Sequence, residues 1–171
     1  MPAPWKQAEQ EAVENFSRAA ENSCELIDSH GEYSRGQFFD KVAVQLAHVC
    51  SIAAQLPIVE PDTEGKDYSE EEVASHTEEY QKLTNSLRKK IGDLDTYGTV
   101  FDPAIREEPN ISSLSGDLAE IYLDLKDALE LHRRAAAAND VYWDWRFDFR
   151  SHWSRHATEA LKVILLTSDS A

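Results

Sequence analysis

The segment from Val141 to His156 constrains this chain most. Its sixteen residues hold three of the four tryptophans together with Arg146, Arg150, Arg155, His152 and His156. Wound as a helix it makes about four turns, and Tyr142, Trp143, Trp145, Phe147, Phe149 and Trp153 then fall on every side of it. A helix without a polar face needs neighbours all round. The segment is therefore expected to be the most buried rod of a helical bundle.

The rest of the chain supplies those neighbours. Pro4 suits a first helical turn, and Trp5, Ala8, Ala12, Phe16, Ala19, Ala20, Cys24 and Ile27 recur at three- and four-residue spacing, predicting a helix from Pro4 to about Ser29 that stops at His30 and Gly31. Ser34 and Gln37 have capping-box spacing and open a second helix. Its core face is Phe38, Phe39, Val42, Leu46, Val49, Cys50, Ala53 and Leu56, and Pro57 ends it. An acidic connection leads to Ser69, the expected cap of a third helix on Val73, Thr77, Tyr80, Leu83, Leu87 and Ile91, which Gly92 terminates. Residues 92–110 read as a long loop without regular structure, docked through Tyr97, Val100, Phe101 and Ile105. Ser112 or Ser113 caps a fourth helix running to about Ala138, with Asp117, Glu120, Asp124 and Asp127 along the edge of its apolar stripe. Asn139 would close it, and Asp140 would cap a fifth helix continuing through Ile164. The expected fold is all-α: a single domain over residues 1–171, a bundle of about five helices with four of them long.

Charge and composition narrow the function classes. Thirty-two acidic residues against seventeen basic ones give a net charge of −15. That excess opposes binding to nucleic acid or anionic membranes, because phosphate recognition needs clustered positive charge. Residues 60 to 79 alone carry nine carboxylates against Lys66, which reads as a solvated face. The chain opens into a polar helix, and its apolar runs are shorter than the roughly 18 to 20 residues of a membrane span. A cytosolic protein is expected. Cys24 and Cys50 would lie on the order of 10 Å out of register in a helical hairpin, so no disulfide is expected between them.

A hairpin of the fourth and fifth helices turning near Ala138 would set Asp127 opposite Arg150, Asp124 near Trp153 and His152, and Glu120 near His156. Asp148, His152 and His156, four apart, would share a face. The candidate ligand-binding residues are accordingly Glu120, Asp124, Asp127, Arg146, Asp148, Arg150, His152 and His156. Two uses compete for them. Carboxylates bonded to Arg150, His152 and His156 would fix helix register and line a polar pocket near the Tyr97–Pro103 loop, in an interaction or regulatory module with a protein partner. Alternatively, Glu120, Asp124, His152 and His156 would hold a divalent metal for a hydrolase or ligand-binding enzyme, although the doubled Glu-x-x-His signature of di-metal bundles is absent. The gap from Arg150 to His156, repeated from Arg146 to His152, also matches helical ribonucleases of the HEPN type, a reading that the acidic surface opposes.

Several motifs coincide with these residues: Asp95-Thr96-Tyr97 followed by Val100-Phe101-Asp102-Pro103; the run from Ser113 to Lys126; Trp143-Asp144-Trp145-Arg146-Phe147-Asp148-Phe149; and His152-Trp153 with His156-Ala157. In these the chain resembles the bacterial family called domain of unknown function 5063, most specifically from Asp95 to Leu161. The resemblance implies an all-helical protein and carries over no catalytic residue.

Overall fold

The computed structural model describes residues 4–63, 70–100, 104, 108–134 and 138–167. The expectations for Ser69, Phe101 and Ile105, and for the side chains of Trp5 and Val73, lie outside the described residues. Helix α1 spans Pro4–Asp28, α2 Arg35–Ala53, α3 Glu70–Ile91, α4 Leu114–Arg133, α5 Ala138–Asp148 and α6 Ser154–Thr167. A π-helical turn, Phe149–Trp153, joins α5 to α6, so that among the described residues the helices form five rods. No helix among the described residues is long and apolar enough to cross a membrane.

The stripe expected on α2 is buried at Phe38, Phe39, Val42, Leu46, Val49 and Ala53, and Leu56 is buried just beyond it. Ser34 Oγ accepts from the Gln37 amide while Gln37 accepts from the Ser34 amide, the reciprocal cap that opens this helix. On α1 the buried face is shifted. Val13, Phe16, Ala19, Ala20, Ser23 and Ile27 are buried, whereas Ala8 is exposed and Ala12 only half-buried. Gly92 ends α3 with φ +70°, a conformation that glycine adopts without steric cost.

The centre of the bundle is α4, not the aromatic segment. Thirteen of its 20 residues are buried, because α1, α3, α5 and α6 all pack against it. The aromatic rod is two-sided instead. Trp145 and Trp153 are buried, with the Phe16 ring 4.6 Å from Trp145 and 6.5 Å from Trp153 between centroids. Phe147, in contrast, is 51% exposed. The expected single fifth helix is interrupted where the Ser154 amide donates to Phe149 O, five residues back. Such a turn widens the helix locally and shifts the faces on either side of it.

The 92–110 segment also departs from expectation. Thr96–Thr99 (β1) and Asn110–Ser113 (β2) pair antiparallel, Tyr97 opposite Ser112. Asp140 does not act as the cap of α5. The helix starts two residues earlier, and the Asp140 carboxylate accepts from the amides of Asp62 and Thr63 and from the Thr63 hydroxyl. These bonds hold the carboxyl below the usual aspartate range, the Thr63 amide contributing most. Cys24 and Cys50 are free, and burial pushes their thiols up to about 12 and about 11.

Candidate functional site

The site is built on the first turn of α4. A helix start leaves four backbone amides without intrahelical partners, and three of these four are satisfied locally. Leu114 N donates to Asp95 O at 2.8 Å, Ser115 N to Asp95 Oδ1 at 2.7 Å, and Gly116 N to the cap Ser113 Oγ at 3.2 Å. Gly116 is needed for that close cap, since a Cβ there would sit 2.7 Å from Ser113 Oγ. Asp95 is itself buried and accepts from Arg88 Nε at 3.1 Å. The Asp95-Thr96-Tyr97 motif thus pins the hairpin to α4.

Asp117 follows in the same turn, where the helix dipole favours a negative charge. Its side chain is only 5% exposed, yet both oxygens are occupied. Oδ1 faces His156 Nδ1 at 2.9 Å, and Oδ2 accepts the Tyr97 hydroxyl at 2.5 Å. Burial first, and then the bond to Asp117, raises the Tyr97 phenol above its ordinary value. With Asp117 as a carboxylate, an acceptor only, Nδ1 is the donor of this pair, and a neutral His156 ring then carries its lone pair on Nε2. That nitrogen has no hydrogen-bond partner among the described residues.

Tyr97, Asp117 and His156 border a cleft of about 490 Å³ between the β-hairpin and α6. Asn110 and Ser112 line the hairpin side, and Arg155, Thr158 and Lys162 line the helix side. Both the size and the mixture of aromatic, apolar and hydrogen-bonding walls suit a small polar ligand.

One turn along the seam is a second pair. His152 Nδ1 lies 2.6 Å from Asp124 Oδ2, and the two imidazole centroids are 5.0 Å apart. Burial raises the Asp124 carboxyl, opposed by the His152 hydrogen bond. Asp124→Ala is expected to lower stability by about 1 to 3 kcal/mol, as for a partly buried partner left without its acceptor. A urea melt indistinguishable from wild type would mean that Asp124 is solvated.

The other candidates are dispersed. Glu120 stands on α4 between the two pairs, close enough for its charge to raise both Asp124 and Tyr80. Asp127, expected opposite Arg150, lies 3.3 Å from His76 of α3 instead. Arg146 donates to Leu56 O at 2.8 Å, and Arg150 is exposed on another surface with Trp143 and Phe147. Among the described residues, no three or more His, Cys, Asp or Glu side chains are grouped so that they could hold a metal ion.

The expected meeting of Glu120 with His156 is replaced by Asp117. The reason is geometric: α4 stops at Arg133 rather than near Ala138, and the position facing His156 lies about one turn nearer the start of α4, while His152 keeps the expected Asp124. Asp117 belonged to the recognised carboxylate row, so its type and face were available in the sequence. The partnership of Tyr97 was not, because it depends on the strand pairing.

Asp148 sits on the inner side of the same rod. Burial, then the charges of Asp144 and Asp124, push its carboxyl up to about 7, against an opposing contribution from His152. An unfolded aspartate titrates near pH ~3.9, so the folded chain keeps this proton where the unfolded chain has lost it. The stability this contributes is complete below about pH 4 and is lost as pH rises through about 7. The thermal midpoint is expected to fall from pH 5 to pH 8 and Asp148→Asn to flatten that fall. A variant that parallels wild type at both pH values would place Asp148 in water.

Comparison with known proteins agrees with the fold. The sequence profile of the family described as Domain of unknown function (DUF5063) matches residues 7–168. No curated protein matches this chain. Among solved structures, the crystal structure of protein BF1032 from Bacteroides fragilis is similar, with a TM-score of 0.71 and 22% identity over 90% of each chain.

Proposed function

The chain belongs to the family described as Domain of unknown function (DUF5063), and within that family we propose that it is a cytosolic regulatory module that binds a small polar ligand in the cleft between the β-hairpin and α6. One observation carries the reading. A buried carboxylate, Asp117, fixes Tyr97 and His156 at once and leaves His156 Nε2 without a partner among the described residues, beside a cleft of ligand size. A pre-oriented acceptor of this kind offers a ligand N–H or O–H a hydrogen bond without first ordering a side chain. The free cysteines support a reducing compartment.

Ligand-observed NMR with a panel of amino acids, nucleotides and sugar phosphates tests the reading. At least one compound is expected to bind wild type and to lose tenfold or more in affinity on His156→Ala. If no compound binds in a His156-dependent way, the reading fails.

The metal-dependent hydrolase on Glu120, Asp124, His152 and His156 is the weaker second reading, because these four side chains are not grouped to hold an ion without moving. It is favoured by the Nδ1-to-carboxylate bonds of both histidines, the orientation that metal-ligating histidines commonly have. Elemental analysis of untagged protein after incubation with zinc or manganese separates the two. A stoichiometric ion lost on His152→Ala would favour the enzyme.

A further inference from the structure

On the opposite side of the aromatic rod, α5 separates its charges. Asp148 lies close enough to Asp124 and Asp127 of α4 to feel their charges, while Arg146 and Arg150 share the outer side with Trp143 and Phe147. The two rings lie parallel, 4.9 Å between centroids and 9° between planes. Ile58, 82% exposed, lies beside them on the connection that follows α2.

That connection is fastened rather than loose. Arg146 donates to Leu56 O, Asp140 accepts from Asp62 and Thr63, and Asn139 donates to Asp62. The result is a pre-organised groove of about 380 Å³ with aromatic and apolar walls, lined by two arginines, Arg146 and Arg150, against one carboxylate, Glu60. Arg146 spends one donor on Leu56 and keeps the others, and Arg150 makes no ion pair within 4 Å among the described residues.

We propose that this groove is a docking surface for a partner protein, taking an apolar segment that carries one or two carboxylates. Charge complementarity selects that occupant. Arg guanidinium groups pair with carboxylates in two-pronged geometry, and Trp with Arg beside apolar side chains is the composition of interface hot spots. The net charge of −15 does not oppose it, because charges farther than a Debye length of about 8 to 10 Å are screened. A continuous polyphosphate, which must neutralise many charges at once, is disfavoured by the same surface. The surface is separate from the cleft, and neither reading depends on the other.

Fluorescence anisotropy with a labelled synthetic peptide of interleaved glutamate and leucine tests it on the full chain. The peptide is expected to bind, and Arg150→Glu and Phe147→Ser each to weaken it tenfold or more, while Ile111→Ser on the hairpin leaves it unchanged. Both altered side chains are exposed, and circular dichroism checks that the variants remain folded. Four outcomes would overturn the proposal: no binding; equal binding of a lysine counterpart of the peptide; tighter binding of a single-stranded RNA of equal length; or self-association of the chain that Phe147→Ser abolishes, in place of peptide binding.

Discussion

Asp117→Ala is expected to lower the unfolding free energy by about 3 kcal/mol. Each hydrogen bond to a charged group contributes about 1.5 to 3 kcal/mol, and Asp117 accepts two, from Tyr97 and His156. The desolvation of the carboxylate disappears with it and offsets part of the loss. The favourable placement of the charge at the start of α4, worth about 0.3 to 1 kcal/mol, is lost as well. Chemical denaturation at pH 7 measures the sum. A loss below 1 kcal/mol would mean that the seam around α4 is not held by this side chain.

Trp145→Ala should cost more, about 3 to 5 kcal/mol, the range for a buried large aromatic truncated in a packed core. Trp145 is 1% exposed, packs at a tilt against Phe16 and donates its indole N–H to Ala128 O at 2.9 Å. The substitution therefore opens a cavity between α1, α4 and α5 and removes the indole bond to Ala128 O in the same step. Trp143→Ala provides the contrast, since that ring is half-buried against Phe147 on the outer side. Equal losses from the two substitutions would contradict the two-sided packing of the rod.

The difference between these two tryptophans marks how far sequence could reach. Three- and four-residue spacing predicted the face of α2 at every position but Cys50, which is half-buried, since an amphipathic helix that buries one face writes that burial into its period. In the aromatic segment the same rule fails. Trp143 and Trp145 are chemically alike, and only the position of α4 decides that one is buried and the other half-exposed. The π-turn at Phe149–Trp153 leaves no periodic signature, yet His152 and His156 stay together across it, 5.0 Å between centroids, and Asp148 remains within reach of the His152 charge.

The candidate site was legible in part for similar reasons. His152 with Asp124 follows from a hairpin turning near Ala138, the register the sequence suggests. His156 with Asp117 requires knowing that α4 ends at Arg133. The strands Thr96–Thr99 and Asn110–Ser113 are four residues each and separated by ten, with a glycine inside the first, so neither alternation nor a short turn announces them. Without that pairing, Tyr97 could not be assigned to Asp117. The surface at Trp143, Phe147 and Ile58 joins segments more than eighty residues apart, and the link between them runs through Arg146 to a backbone carbonyl that no side-chain pattern encodes.

The claim on which the cleft depends is that Asp117 dictates the tautomer of His156. Long-range ¹H–¹⁵N correlation spectra of the imidazoles, recorded where the rings are neutral, read it directly. The account predicts His156 protonated on Nδ1 with a bare Nε2. Wild-type His156 carrying its proton on Nε2 would contradict it.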